Sequence, residues 1–581
     1  MDVLASLRDK IMSAVRILED QNILPPDLKK NAIAVEIPKD KTFGDLSSNV
    51  AMVLSKQAKR NPRELAEHFI EQLSKDILIE TVDVAGPGFL NFKLTNNFWH
   101  KVVIAILDSG ISFGLDQVGK GKTVNVEFVS ANPTGPLHVG HTRGAVFGDV
   151  LANLLNATGY SVTREYYVND AGSQIDSLAR SAYSRYQEAL GFSINGKQNE
   201  YPGDYLKEVG ESLKNEYGKS LLYEEETSKL NKIKDFTVSK MLVLIRRDLA
   251  DLGIVMDNFV SEIDLYKKGE IEKSINCLRD LGLIYKGILE KPKGGCEENW
   301  LVREQELFKS SQFGDDTDRP IKKADGSWTY FAPDIAYHYD KLNRDYDEMI
   351  DIFGADHSGY SARMKAVVKA LSKGDKNLTV KLCQLVKLYK DGKPVKMSKR
   401  AGSYITLRDL LDEVGKDAIR FLLLMRKNDA PIDFDFSRAI EQTRENPVFY
   451  VQYANARICS IFKRAMEANI DTSDSVLSKV DLSLLNNESE MQTIRKLAEW
   501  PNVLVKATVR FEPHRIAFYL YELAQLFHSL QSLGKIDHSL RFLINDDLKI
   551  TSARLAMVRS IQLIIQSGLN IFGIKPLHEM L

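Results

Sequence analysis

Ser130-Ala131-Asn132-Pro133-Thr134-Gly135-Pro136-Leu137-His138-Val139-Gly140-His141 is the stretch on which the reading of this chain turns. Ahead of it, Thr123 to Val129 alternates. Val124, Val126 and Phe128 fall on one side and Asn125 and Glu127 on the other, the pattern of a short strand. Pro133, Gly135 and Pro136 then disfavour both strand and helix, so the chain must turn. From about His138 the apolar set Val146, Val150, Leu151 and Leu154 has helical spacing. The order strand, tight turn, helix places His138 and His141 on one face of the first helical turn. Gly140 leaves space for a flat ring or a phosphate to approach the backbone. The unpaired N–H groups and positive end of a helix start favour an anion there. Imidazole donors add to the stabilisation of a phosphorus centre gaining negative charge.

Further along, residues 381–400 carry Lys381, Lys387, Lys390, Lys393, Lys396, Lys399 and Arg400 against a single acid, Asp391. Gly392 and Pro394 precede the core of this run, Lys396-Met397-Ser398-Lys399-Arg400, and Ala401-Gly402 follow it. A basic loop between glycines can move and close. Lysine ammonium groups are compact point charges suited to phosphate oxygens, and Ser398 supplies a hydroxyl. Taken alone, the run reads equally as a solvated basic turn or a nonspecific RNA patch.

Together these two segments resemble the signature pair of class I aminoacyl-tRNA synthetases. The wider run Glu127 to His141 resembles arginyl-tRNA synthetase of the bacterial type. Phe43-Gly44-Asp45 and Gly86-Pro87-Gly88-Phe89 resemble that family's N-terminal domain. Tyr330-Phe331-Ala332-Pro333-Asp334-Ile335-Ala336-Tyr337 and Gly354-Ala355-Asp356-His357 resemble its catalytic-domain motifs. Asn446 to Ala454 resembles the entry to its helical domain. The likeness spans essentially the whole chain.

The resemblance implies a multidomain α/β protein: a Rossmann-like catalytic core, an N-terminal α+β domain and a C-terminal all-α bundle. It implies activation of L-arginine by ATP with Mg2+ to an adenylate, then transfer of the arginyl group to the terminal ribose of tRNA(Arg). His138, His141, Lys396 and Lys399 would stabilise the phosphates. Gly140, Asp356, His357, Met397 and Ser398 would join them around ATP. Asp334 and Tyr330 would hold the guanidinium; Glu127, Ser130, Asn132 and His138 would fix the ammonium and carboxylate end. The competing structural readings are a solvent-facing strand position for Glu127 and a helix cap for Asp334, with the functional reading favoured at both. The family reads its tRNA with the helical domain. There Tyr450, Tyr453 and Arg457 share a helix face and could contact tRNA by stacking and phosphate pairing, or could pin the helix to its core. The family often carries a histidine where this chain has Asn455, which leaves that position without an assigned role. A monomer is implied by likeness.

Composition sets the outer limits. A chain of 581 residues should hold three or four domains, and 44% apolar with 27% charged residues is a soluble globular composition. No apolar run reaches membrane-spanning length, and Met1 to Lys10 lacks the apolar core of a secretory signal, so we expect no membrane association and a cytoplasmic location. The four cysteines, Cys277, Cys296, Cys383 and Cys459, are scattered, so neither structural zinc nor disulfides are expected. A net charge of −1 requires RNA-binding charge to be local, and such binding should weaken steeply with salt.

The expected organisation is an N-terminal module at 1–112, a nucleotide-binding core at 113–435 with a helical insertion at about 178–300, and an all-helical region at 436–581. Within the last, Ile516, Leu520, Leu523, Phe527 and Leu530 form a stripe that reads as core. Competing readings are another nucleotidyl-transferring enzyme, a synthetase for a different amino acid, and a noncatalytic RNA-binding protein. Tyr330 with Asp334 speaks against a different amino acid, and the intact phosphate-handling residues speak against loss of catalysis.

Overall fold

Thr123–Glu127 forms a strand (β1), but neither of its faces meets solvent: Asn125 is as fully buried as Val124 and Val126, and Glu127 is 6% exposed. A central strand of a parallel sheet is covered on both sides, which alternation alone does not reveal. The computed structural model describes residues 2–38, 40–115, 118–193, 200–289, 303–395 and 405–580. Beside β1 run β2 (Ser161–Val168), β3 (Asn258–Ser261), β4 (Glu348–Gly354) and β5 (Leu378–Cys383). The order is β5-β4-β1-β2-β3, with every pairing parallel. The order reverses between β4 and β1, so their carboxyl ends open a crevice of the kind that binds nucleotides.

The helix after the turn, α1, spans Val139–Ala157, and its Val146, Val150, Leu151 and Leu154 are fully buried. Burying each such side chain contributes about 1.5–3 kcal/mol, enough to fix the helix against the sheet. Two more helices matter for the site: α2 (Phe331–Asn343) ahead of β4, and α3 (Ser358–Leu371) after it.

The helical insertion ends sooner than its composition suggests. Ser173–Ala189, Tyr205–Tyr217 and Glu226–Asp251 pack on Leu178, Tyr186, Leu206, Leu213 and Met241. The chain then rejoins the main sheet as β3, well inside the expected 178–300 window. A second excursion builds a small antiparallel sheet from Ile284–Gly287, Gln305–Phe308 and Arg319–Pro320.

The chain forms two compact units. One holds 117–442 with 512–514 and contains the parallel sheet. The other joins residues 1–116 to 443–511 and 515–581. In that unit a four-stranded antiparallel sheet, closed by the Ile79–Ala85 and Phe89–Leu94 hairpin, shares a core with helices Val3–Asp20, Val50–Ala58 and Pro62–Leu73. The helix Asn96–Ser109 packs among the C-terminal helices, where His100 Nε2 meets Leu485 O at 2.9 Å. The Ile516, Leu520, Leu523 and Phe527 stripe is fully buried.

Candidate active site

The turn after β1 is held in an unfavourable backbone conformation. Val129 (φ 71°) and Ser130 (φ 38°) both lie in the left-handed region. Each such non-glycine residue costs about 1–3 kcal/mol, so surrounding contacts must impose it. Ser130 supplies them: its Oγ donates to Glu127 Oε1 at 2.9 Å and accepts from the Tyr167 N–H at 3.1 Å. Tyr166 donates to Ala131 O at 2.7 Å, and Tyr205 to Thr134 O at 2.7 Å. Asn132, exposed at the apex, donates to Gln174 Oε1 at 2.8 Å.

His138 caps α1, and its ring stacks on His141 with centroids 3.9 Å apart. A Cβ at position 140 would come within 2.8 Å of the His138 ring, so the space that Gly140 opens is filled by an imidazole. The expectation of free N–H groups at this helix start needs correction. Val139 N–H donates to Ile405 O at 3.2 Å, Gly140 N–H to His138 Nδ1 at 3.1 Å, and His141 N–H to His138 O at 2.8 Å. His138 N–H in turn donates to His141 Nδ1 at 3.3 Å. Because both Nδ1 atoms accept, each neutral imidazole carries its proton on Nε2. Anion binding at this end falls to those ring N–H groups and the helix dipole, not to open backbone amides.

The basic segment approaches the same place. Val386–Lys390 pairs with Lys393–Pro394 through Asp391 (φ 52°) and Gly392 (φ 72°). Two successive positive φ angles make a type I′ turn, so Gly392 shapes a hairpin and is not a hinge. Gly392 N–H is further held by Asp435 Oδ2 at 2.9 Å. Lys396, Met397, Ser398 and Lys399 lie outside the described residues. Where the description resumes, Thr406 bridges His138, and Leu407 N–H donates to Leu137 O at 2.8 Å. The segment therefore ends on the histidine motif.

A second cluster lies at the ends of β2 and β3 and the start of α2. Asp334 sits in the first turn of α2, where the Tyr360 hydroxyl donates to its Oδ2. Burial pushes its carboxyl up to about 6. Glu262, immediately after β3, is pushed up to about 7 by burial and by the charge of Asp334. Both carboxylates also raise the phenols of Tyr167 and Tyr360, after burial in each case, so the four groups are near neighbours. Two negative groups beside aromatic rings are the chemistry that suits a planar cation. Glu262 escaped the sequence reading because a four-residue strand inside a helical stretch gave too short an apolar signal. Asn258-Phe259-Val260-Ser261 with a Ser N-cap was the available cue.

Glu127 is neither solvent-facing nor free. Its Oε2 accepts from Lys341 Nζ at 2.5 Å, and Lys341 also donates to Asp351 Oδ1 at 2.8 Å. His338 bridges Asp351 Oδ2 (2.9 Å) and Asp334 O (2.8 Å). Burial pushes Glu127 up while Lys341 opposes it. Burial works against ionising Asp351 too, but Lys341 and His338 hold it below the usual carboxylate range. This network forms a charged floor linking β1, β4 and α2.

The other expected residues are placed less uniformly. Asp356 and His357 stand exposed just past β4, with Nε2 and Oδ2 3.4 Å apart, at the crevice edge. Tyr330 is 75% exposed one turn before Asp334, with Lys323 over its ring at 5.5 Å; the hydroxyl on Asp334 is Tyr360's instead. Arg457 donates to Gln531 Oε1 at 2.6 Å and lies over the Tyr453 ring, while Tyr450 packs on His528 at 4.3 Å. The pinning role is therefore present, and both tyrosine rings stay partly exposed. Asn455 is buried and donates to Leu577 O at 2.7 Å, so it anchors the C-terminal tail. Among the described residues, no group of three or more His, Cys, Asp or Glu side chains is arranged to hold a metal, and no helix is long and apolar enough to cross a membrane.

The raised carboxyls carry a pH signature. A cation entering the space needs Asp334 and Glu262 ionised, so its binding must release protons once the pH falls toward 7 and 6. We expect affinity for the cationic substrate to fall on acidification from about pH 8 to about pH 5.5. Calorimetry in two buffers of different ionisation heat reads the released protons directly; a pH-independent affinity with none released contradicts the cluster.

Comparison with known proteins fits this geometry. The family described as "tRNA synthetases class I (R), catalytic domain" matches residues 103–443. "Arginyl tRNA synthetase N terminal domain" matches 5–94, and "DALR anticodon binding domain" matches 451–580. The chain is 53% identical over 580 residues to the arginine–tRNA ligase of Ruegeria pomeroyi, covering 100% of both. It is 52% identical over 582 residues to that of Parvibaculum lavamentivorans, again covering 100% of both. The Thermus thermophilus arginyl-tRNA synthetase structure superposes with a TM-score of 0.70 over 100% of each chain at 18% identity, a likeness of fold.

Proposed function

The chain belongs to the arginyl-tRNA synthetase family, and from that premise we propose which of its residues carry each step. It is an arginine–tRNA ligase: it activates L-arginine with ATP to arginyl-adenylate, releasing pyrophosphate, and transfers the arginyl group to the 3′-terminal adenosine of tRNA(Arg). The observation that carries the assignment of residues is convergence. His138 and His141, Asp334, and Glu262 all lie at the carboxyl edge of one parallel sheet, the histidines just after β1 where strand order reverses and Glu262 after the edge strand β3.

Arginine's carboxylate is already a nucleophile, so adenylation needs in-line placement and neutralisation of phosphate charge more than acid–base chemistry. His138 and His141 donate from Nε2 to the phosphates, and Lys396 and Lys399 add their charge to the same phosphates. Mg2+ bound with ATP would supply positive charge against the departing pyrophosphate. Gly140, Met397, Ser398, Asp356 and His357 border the nucleotide. Asp334 and Glu262 take the guanidinium, with Tyr330 at the rim. Ser130 and Asn132 meet the amino-acid end with His138, and Glu127 adds its charge from the floor below. Tyr450 and Tyr453 offer ring faces to tRNA, with Arg457 positioning Tyr453. We take the enzyme to work as a cytoplasmic monomer.

Aminoacylation with ATP, Mg2+, tRNA(Arg) and each amino acid in turn tests the reading. Arginine alone should be charged; charging by lysine or glutamine instead would overturn the specificity. In arginine-dependent pyrophosphate exchange with tRNA present, His138→Ala or His141→Ala should cost on the order of 10²–10³ in rate, with the arginine KM little changed in His141→Ala. An unchanged rate would remove the histidines from the phosphate site.

A further inference from the structure

Arg143 stands one turn into α1, is 2% exposed, and touches none of the groups assigned above. Its guanidinium makes three hydrogen bonds among the described residues, all to backbone carbonyls: Gln384 (2.9 Å), Ala430 (2.7 Å) and Lys427 (2.9 Å). We propose that Arg143 is a positioning residue for adenylation, holding the root of the basic hairpin at a fixed place relative to His138 and His141. The proposal rests on the reading of the site given above.

The geometry of those carbonyls is the argument. Gln384 stands between β5 and Val386–Lys390, the first strand of the hairpin. Lys427 and Ala430 flank the turn that enters Ile432–Asp435, which pairs in parallel with that same strand. Asn428 cross-ties the two segments: its O accepts from Gln384 N–H at 2.8 Å, and its side chain donates to Leu382 O at 2.8 Å. The Arg143 fork ties the root of the small sheet directly to α1. Further along the chain, 405–407 pair with 137–139, and Arg420 meets Asp149 of α1. Removing the fork takes away the side-chain tie at the root of the hairpin and lets that root shift relative to His138 and His141.

The chemistry suits arginine and not lysine. A planar guanidinium reaches two chain segments at once, whereas an ammonium is a single point on a shorter fork. Among the described residues no carboxylate accepts from Arg143, and burial depresses its ionisation. A buried charge paired only with carbonyls contributes little to stability compared with an apolar replacement. Its contribution is the fixed distance between two elements that must both reach one triphosphate.

The test is arginine-dependent pyrophosphate exchange with tRNA present, using Arg143→Ala, Arg143→Lys and, as a control, His141→Ala. A displacement of about 1 Å costs about 10²-fold in rate, so kcat should fall by that order in Arg143→Ala. The arginine KM should stay within about twofold, because Asp334 and Glu262 lie on other elements. Added guanidinium ion should restore part of the rate of Arg143→Ala but not of His141→Ala. If Arg143→Ala does not fold, Arg143→Lys decides, with an expected kcat loss of about tenfold. A kcat within about twofold of the unsubstituted enzyme in the folded variant, or an arginine KM rising in step with the loss, overturns the proposal. If His141→Ala is also without effect, the failure is that of the phosphate-site reading; if only the Arg143 variants are, this inference alone fails.

Discussion

Asp334→Asn will lower kcat/KM for arginine by about 10³-fold or more while leaving the protein at least as stable as before. The two halves of that expectation share one cause. Asp334 and Glu262 are crowded carboxylates whose ionisation is held up by burial, to about 6 and about 7. Without a cation between them they repel. The amide keeps the size of Asp334 and its contact with Tyr360, but leaves the incoming guanidinium half neutralised. A partly unpaired buried charge costs about 3–5 kcal/mol, which is the source of the predicted loss. In the free protein the sign reverses. A carboxyl whose folded pKa is raised above its unfolded value of about 3.9 costs stability once the pH exceeds both, so removing its charge at pH 7.5 should gain on the order of 1–2 kcal/mol. Glu262→Gln should behave likewise, and the double variant should lose less than the product of the two, because the groups act as one site. Steady-state exchange kinetics paired with thermal melts decide it. A loss below about tenfold in both single variants would mean that the guanidinium is held elsewhere.

How far the sequence carries this reading depends on the length of each signal. The strand, turn and helix from Thr123 to Ala157 were legible because proline, glycine and helical spacing agree over more than thirty residues. Asp334 was legible through the resemblance of Tyr330 to Tyr337 to the family's motif, and it falls in the first turn of α2. Glu262 was not, because β3 has only four residues and follows three helices. Nor was Tyr360, which reaches Asp334 only when α3 packs beside α2. Alternation assigned Glu127 to a separate strand face but could not say that this face is covered. The type I′ turn at Asp391-Gly392 was available as a dipeptide signal, yet the surrounding charge drew the reading toward a mobile loop. Apart from that local turn and the short strand before Glu262, what stayed hidden was contact between elements distant in sequence.

The charged floor is such a contact, and its keystone is Lys341. Lys341→Met will destabilise the catalytic unit by about 3–5 kcal/mol at pH 7.5, because removing one partner strands the others. Lys341 is fully buried and is the shared cation of Glu127 and Asp351; its own ionisation is held up, against burial, by Asp351 and Glu127. Methionine fills much of the same volume, so cavity formation contributes little and the effect is electrostatic. After the change Asp351 retains His338 and Glu127 retains Ser130, a hydroxyl that brings no charge. Glu127 should then answer burial by taking up a proton, raising its folded pKa further above the unfolded value. A raised carboxyl loses stability as pH rises and regains it as pH falls, so the deficit of the variant should shrink between about pH 7.5 and about pH 5.5. In the unsubstituted chain Asp351 titrates below the usual carboxylate range and adds no slope in that window. Adding Glu127→Gln to Lys341→Met should recover part of the lost stability by removing the stranded charge, without restoring exchange activity. Urea unfolding of the single and double variants at both pH values measures each term. A deficit under about 1 kcal/mol, or one unchanged by pH and by Glu127→Gln, would show that Lys341 packs the interior without balancing its charge.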